Sequence, residues 1–400
     1  MLSTSRRLFV LACLCGLGAA FSAPCVAQQA DGGSWRDKQE DLFDLVNVYE
    51  AWDVTEGDPD LLIGVIDNGY DFFHPSLEGK LLSGCYFPGG FHTEFYENIA
   101  HGTVICGLMV ANPQAGEGVS GLAPQCRVLT ASQGMIEHVM WKLQKEVAKA
   151  NPGMGQLELM QKVVSEHAAE VQEFGKRWVE YQFSGAADAI HYLVDRGVKV
   201  INFSGGVRKS ACPSVEVWER IAGAFAYAAE KDVVMVLAAG NDGREYDDYP
   251  GDPETMLVVG ASLKNDTRWA QEATKEIPVA QGSSYGRRLS VMAPVQDIVV
   301  CEPHDKRVYS CNGGPMGDCE VPFKGPYSVQ PIGATSCAAP VVSALVALIR
   351  SARPDLGVRD VVQIVLEGCD DIGEPGPDLY TGHGRVNFAA SMSLAQARPK

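Results

Sequence analysis

Three side chains of different chemistry follow one another along this chain as carboxylate, imidazole and hydroxyl: Asp67, His101 and Ser336. Ser336 lies in Gly333-Ala-Thr-Ser-Cys-Ala-Ala-Pro340, just before the apolar run Val341 to Ile349. A serine where a helix begins sits beside backbone N–H groups that lack intrahelical acceptors, and such groups can hold a developing oxyanion. Taken alone, the same serine reads more often as an N-cap. A hydroxyl becomes a good nucleophile at neutral pH only when a base takes its proton, and histidine titrates in the range that suits the exchange. With a carboxylate to fix the imidazole, the three form a nucleophile, base and orienter for attack on a carbonyl.

Such groups need elements to hold them. Leu61-Leu-Ile-Gly-Val-Ile66 is a short apolar run ending in Asp67-Asn-Gly69. It reads as a buried parallel strand with a carboxylate at its C-terminal tip, the edge at which open α/β sheets bind ligands. His101 opens a run, to Ala111, that reads as a helix. Strands are expected at Cys126 to Ala131, Val198 to Phe203, Val233 to Ala238 and Met256 to Ala261, and helices at Gly185 to Arg196 and Val215 to Glu230. This alternation predicts an α/β fold, a parallel sheet covered on both faces.

The order Asp, His, Ser and the motifs Asp67-x-Gly69 with His74-Pro75, His101-Gly-Thr103, Asn202-Phe-Ser204-Gly-Gly206, Ala238-Ala-Gly-Asn241 and Thr335-Ser336-x-Ala338-x-Pro340 resemble those of the subtilisin-like serine proteases. The resemblance runs from Trp52 to Asn387, closing with Gly382-His-Gly-Arg-Val-Asn387. It implies a three-layer fold with a mostly parallel central sheet. By motif, Ser336 becomes the nucleophile, His101 the general base and then acid, and Asp67 the group that fixes the imidazole tautomer. Asn241 becomes the oxyanion donor with the Ser336 N–H, while Ser204, Gly205 and Gly206 line the substrate cleft. Three positions depart from the family pattern: Asn68 stands for Thr or Ser, Cys337 for Met, and Gly205 for Leu or Met. Asp67 as a plain strand end, His101 as a helix cap and Asn241 as a turn residue are the alternative structural readings. His74, His92, His138, His167, His191, His304 and His383 have no partner motif and are expected to be structural.

Ser5-Arg-Arg7, the apolar stretch Leu8 to Phe21 and the small-residue site Cys25-Val-Ala27 have the layout of a secretory signal peptide over residues 1–27. Secretion or residence in a periplasm is therefore expected, with a twin-arginine route open. The organisation expected is an N-terminal arm (28–50), a catalytic domain (51–390) and a short tail (391–400). Residues 28–50 leave no room for the inhibitory pro-domain usual in the family. The formal charge moves from −17 to −19 on removal of residues 1–27, since Arg6 and Arg7 are the only charged groups lost. Neither nucleic acid nor an anionic membrane is an expected partner of so acidic a chain; a protein or peptide substrate is. Cys311 and Cys319 flank a turn-rich loop and are the pair expected to form a disulfide. Cys106 and Cys337, near the expected site, read either as oxidisable thiols or as small buried hydrophobes. No cysteine or histidine spacing suits zinc, and no acidic loop has EF-hand spacing, so calcium has no motif behind it.

Residues 133–183 are read as an inserted helical hairpin beside the cleft. Ile136, Val139, Met140, Leu143 and Val147 make one stripe, Asn151-Pro-Gly153 breaks it, and Leu157, Met160, Val164, His167, Val171, Phe174, Trp178 and Tyr181 make a second. It would serve as a lid or partner-docking element, or as self-packed decoration. Asp242, Glu245, Asp247 and Asp248 after Asn241 read as a solvated loop or as acids favouring a basic residue before the cleaved bond. The activity expected is that of an exported serine endopeptidase. The alternatives are a silent binding protein on the same fold and an acyl-transfer enzyme (esterase or peptide ligase) on the same triad.

Overall fold

The strands follow the chain as β1 Leu62–Asp67, β2 Leu81–Phe87, β3 Arg127–Gln133, β4 Val200–Phe203, β5 Val234–Ala238, β6 Met256–Ser262, β7 Ala270–Gln271, β8 Gln281–Gly282, β9 Val291–Pro294, β10 Gln296–Cys301 and β11 Tyr327–Ile332. This computed structural model describes residues 34–87, 101–112, 118–133, 137–272, 280–302 and 326–399. Seven strands form one sheet in the order β2-β3-β1-β4-β5-β6-β9, parallel at every pairing. The remaining strands make two antiparallel pairs, β7 with β8 and β10 with β11.

The chain builds outward from β1 to β2 and β3 on one side, then crosses to β4 and its successors on the other. The C-terminal end of β1 therefore lies where the strand order reverses, and the crossovers leave a crevice there. Asp67 is the last residue of that strand. The sequence places a carboxylate at the fold's natural binding position.

Helices α1 Trp35–Val46, α2 Val48–Trp52, α3 His101–Val110, α4 Glu137–Ala150, α5 Gln156–Glu166, α6 Ala168–Asp195, α7 Val215–Glu230, α8 Ala334–Ala352, α9 Val358–Glu367 and α10 Phe388–Ala397 cover the sheet. Alternate strand residues feed two cores. Val200, Val234 and Val236 join α3 and α8 on one face, while Ile201, Met235 and Leu237 join α6 and α7 on the other. This is the expected three-layer α/β architecture, and it explains why the strands read as continuous apolar runs. Every residue of α8 from Ala334 to Arg350 is buried, so its apolarity serves the core.

The arm before β1 is not loose. Ser34 caps α1 by accepting from the Asp37 N–H (3.1 Å) while the Asp37 carboxylate accepts from the Ser34 N–H (3.0 Å). Leu42, Phe43 and Val46 of that helix enter the same core as α3 and α8.

The insertion departs from the two-helix reading. The chain breaks at Asn151 to Gly155 as expected, then again at His167, whose backbone (φ −120°, ψ 38°) leaves the helical region. Three helices result. The last, α6, runs on without interruption through the helix expected at Gly185 to Arg196. Its N-terminal turn contributes Val171 to a small separate core with Leu143, Val147, Leu159 and Val163, and its C-terminal half contributes Phe183, Ala186 and Ile190 to the main core. Before the break the buried residues are Leu159 and Val163, with Val164 partly buried, so the inward face is set one residue off the stripe read from sequence. Ile136, His92, His304, the signal-peptide residues and the Cys311–Cys319 pair lie outside the described residues, as do the side chains of His138, Val139, Met140, Leu157, Met160, Phe174, Trp178 and Tyr181.

Candidate active site

The site begins with two glycines that let a helix approach a strand end. Gly69 turns the chain after Asp67 with φ 69°, a value costly for residues with a Cβ. Helix α3 docks onto this turn, the Gly102 N–H donating to Asn68 O (2.7 Å) and the Thr103 N–H to Gly69 O (3.1 Å). A Cβ on Gly102 would stand 2.6 Å from Cε1 of Tyr70 and 2.9 Å from Gly69 O. The hydroxyl of Thr103 accepts from the Asp71 N–H (2.8 Å) and closes the joint. The two motifs are thus halves of one interface, and the interface sets the imidazole against the carboxylate.

His101 Nδ1 lies 2.7 Å from Oδ1 and 2.8 Å from Oδ2 of Asp67. Asp67 is a carboxylate at 6 % exposure, so the hydrogen between them belongs on Nδ1 and the Nε2 lone pair is left to act as base. Burial opposes the imidazolium, but attraction to Asp67 and the hydrogen bond to it outweigh that, and the His101 pKa is raised above its ordinary value. Asp67 itself also accepts from the Asn68 N–H at 2.7 Å. The buried Oδ1 of Asn68, where the family has a hydroxyl residue, has no hydrogen-bond partner among the described residues.

Ser336 is the third residue of α8, not its cap; the cap is Gly333, which offers no side chain. Ala334 enters the helix at φ 55°, a left-handed conformation rare outside glycine. Pro340 sits four residues after Ser336 and has no N–H, so the Ser336 carbonyl loses its helical donor. The buried Ser204 hydroxyl supplies it, donating to Ser336 O at 2.8 Å. Asn202 Nδ2 donates to Ser204 Oγ (2.9 Å), and the Ser343 hydroxyl donates to Asn202 Oδ1 (3.0 Å). The end of β4 is thereby fastened to α8 through the serine it must present. In this resting geometry Ser336 Oγ donates to Ser204 O at 3.3 Å.

Asn241 follows β5 at the same sheet edge. Its Oδ1 accepts from the Thr335 N–H (3.0 Å) and the Thr335 hydroxyl (2.6 Å). A backbone N–H can only donate, so the amide oxygen is fixed toward Thr335 and Nδ2 faces away. Asn241 therefore caps α8 with one end and offers a donor with the other. The Ser336 N–H, in the first turn of the helix, is the natural second donor.

Of the residues expected to line the cleft, Ser204 is buried behind Ser336, while Gly205 and Gly206 lie at the surface of the strand end. A Cβ on Gly205 would stand 2.7 Å from the Phe203 ring, which explains the glycine there. His74 is fully buried, with Nδ1 accepting from the Ser76 N–H (3.1 Å) and Nε2 donating to Pro326 O (2.9 Å), a structural histidine as expected. Cys106, Cys126, Cys212, Cys301, Cys337 and Cys369 are free thiols. Burial pushes Cys106 and Cys337 well above the ordinary thiol range, so both behave as small hydrophobes. Among the described residues no three His, Cys, Asp or Glu side chains converge on a metal position.

Three of the four acids after Asn241 are already engaged within the protein. Asp242 faces Arg208, and its Oδ2 accepts from the Tyr246 hydroxyl at 2.6 Å. Asp247 Oδ1 accepts from the Arg287 N–H and Asp248 Oδ2 from the Ser210 N–H, each at 2.6 Å. Asp242, Asp247 and Asp248 are thus engaged, and Glu245 is exposed. Asn202 and Thr335 stand in the sequence motifs with no role assigned to them, and Ser343 and Arg208 were not singled out from sequence. Only Pro340 carried a signal, since a proline four residues after the serine strands a carbonyl that something must bind.

The sequence profile of the subtilase family, Peptidase_S8, matches residues 58–384. The chain belongs to the subtilase family. It is 28 % identical over 338 residues to the thermophilic serine proteinase of Bacillus sp. (strain AK1), covering 84 % of this chain and 63 % of that protein. It is 26 % identical over 352 residues to fervidolysin of Fervidobacterium pennivorans, covering 86 % and 42 %. The chain thus spans less than two thirds of these two relatives. Mycosin-4 of Mycobacterium tuberculosis is 27 % identical over 377 residues, covering 92 % of this chain and 72 % of its own. Among solved structures, the prenylagaramide maturation protease PagA superposes with a TM-score of 0.55 at 21 % identity, covering 88 % of this chain and 99 % of its own. A lanthipeptide protease superposes at 0.59 and 18 %, covering 91 % and 96 %. The subtilase neighbours share the three-layer fold.

Proposed function

We propose that this subtilase is an exported serine endopeptidase that cleaves peptide bonds through an acyl-enzyme on Ser336. The observation that carries the reading is the buried Asp67 carboxylate against Nδ1 of His101, which makes Nε2 the basic nitrogen, on a helix that packs against α8. The Ser336 hydroxyl turns from the Ser204 carbonyl toward His101, loses its proton to Nε2 and attacks the substrate carbonyl. The oxyanion is met by Asn241 Nδ2 and the Ser336 N–H. His101, now cationic and stabilised by Asp67, returns the proton to the leaving amine, and water repeats the sequence to release the acyl group. Export rests on the signal-peptide layout of residues 1–27.

A fluorophosphonate applied to purified protein, with the adduct located by peptide mass spectrometry, tests the nucleophile. Labelling at Ser336 that is lost in Ser336→Ala, together with cleavage of a denatured protein substrate, is expected. Folded protein that neither labels nor cleaves would leave a silent binding protein on the same fold.

A further inference from the structure

Resting on the peptidase reading, we infer that Arg208 selects the residue whose carbonyl is attacked, the P1 residue, favouring a side chain that ends in a carbonyl or carboxylate oxygen and rejecting lysine and arginine. The reacting carbonyl carbon must meet Ser336 Oγ with its oxygen at Asn241 Nδ2. The P1 side chain branches two bonds from that carbon, so it falls against the segments flanking those groups, Ser204 to Gly206 and Gly240 to Asp242.

The Arg208 guanidinium lies across the gap between these two segments. A Cβ built on Gly206 would stand 3.9 Å from Nη2 and 4.0 Å from Nε, and one built on Gly240 would stand 3.6 Å from Nη1. One face of the guanidinium stacks on Tyr246, with Cζ 3.6 Å from the ring centroid. The side chain is 18 % exposed, held in place and not waving in solvent.

Its donors are unspent. Nη1 is buried with no hydrogen-bond acceptor among the described residues and lies 3.6 Å from Asp242 Oδ1, an ion pair too long to be a hydrogen bond. None of the guanidinium N–H groups donates a hydrogen bond among the described residues. Arginine normally presents its donors as a fork to an oxygen acceptor, and partly buried polar groups are seldom left without one. A substrate oxygen would complete the site.

Asp242 does not cancel this preference. Its Oδ2 is taken by the Tyr246 hydroxyl (2.6 Å) and its Oδ1 by the Ser284 hydroxyl (3.3 Å). Burial works against its charge, yet Arg208 and these hydrogen bonds more than compensate and hold its carboxyl below the usual range. A lysine or arginine at P1 would meet the Arg208 cation and find Asp242 already engaged. A Gln, Glu, Asn or Asp side chain would find donors.

The test is a peptide set varied only at P1, cut by wild-type, Arg208→Ala and Asp242→Asn proteins, with Ser336→Ala as blank. Wild type is expected to cleave after Gln and Glu with kcat/KM about tenfold or more above that after Lys and Arg, the scale of one charge-assisted hydrogen bond. Arg208→Ala should lose this advantage and gain rate after Lys and Arg, because Asp242 is then left without its cation. Asp242→Asn keeps Arg208 and should shift the balance from Gln toward Glu; it answers the question even if Arg208→Ala does not fold. Wild type cutting after Lys and Arg as fast as after Gln and Glu would keep the peptidase and overturn the selection by Arg208. Wild type cutting none of the set would overturn the peptidase reading, and the inference with it.

Discussion

The carbonyl of Ser336 owes its partner to a residue four positions on, because Pro340 withholds the N–H that an unbroken helix would supply and Ser204 replaces it. Ser204→Ala should therefore leave a buried acceptor unsatisfied and lower stability by about 1–3 kcal/mol, measured by urea unfolding. Acting through Ser336 and not on substrate, it should reduce kcat while KM stays nearly constant. His101 makes a pH prediction. The base must be neutral, and Asp67 raises its pKa, so kcat/KM should fall on the acid side with a midpoint above about 6.5, the ordinary histidine value. The same shift makes the protonated pair a stabilising one, fully present below the unfolded pKa and lost as pH rises through the raised folded value. Asp67→Asn should move the acid limb down and lower the plateau; a limb unmoved in Asp67→Asn would detach it from His101. Asn241→Ala should lower kcat by about 10²–10³, a magnitude carried over from loss of the corresponding donor in a subtilisin.

Helix α3 depends on closeness at its first turn. Gly102→Ala would raise helix propensity, yet its Cβ has no room against Tyr70 and the Gly69 carbonyl. The expected result is slower fluorophosphonate labelling by about 10²-fold, the cost of roughly 1 Å of misplacement between reacting groups. Labelling at the wild-type rate would show that the joint yields without moving His101. Helix α8 makes the opposite demand, for apolar bulk. Leu345 is fully buried there, and Leu345→Ala should cost about 2–5 kcal/mol in denaturant unfolding. The expected strands lie within a few residues of the observed ones because each is a short apolar run bounded by polar or glycine residues. The insertion was less legible. Its apolar spacing ran on across His167, whereas the structure buries Leu159 and Val163 and breaks the helix there, a backbone event that spacing does not record.

Across the whole molecule, the N-terminal arm and the catalytic fold share one core. Phe43→Ala should destabilise by about 3–5 kcal/mol with a single unfolding transition, as expected of a residue in the same cluster as α8. A separate early transition would make the arm an independent appendage. The sequence by itself determined the parallel α/β class and the family, and it named Asp67, His101, Ser336 and Asn241 as the candidates, since those follow from local runs, residue chemistry and motif order. The tertiary structure decided what depends on distance between remote segments. It turned Asn241 so that its oxygen binds Thr335, tied Ser204 to the carbonyl that Pro340 leaves unpaired, and brought Arg208 against Asp242 and Tyr246. A row of acids reads as available charge in a sequence. Whether that charge is free is settled only by which cation folds against it.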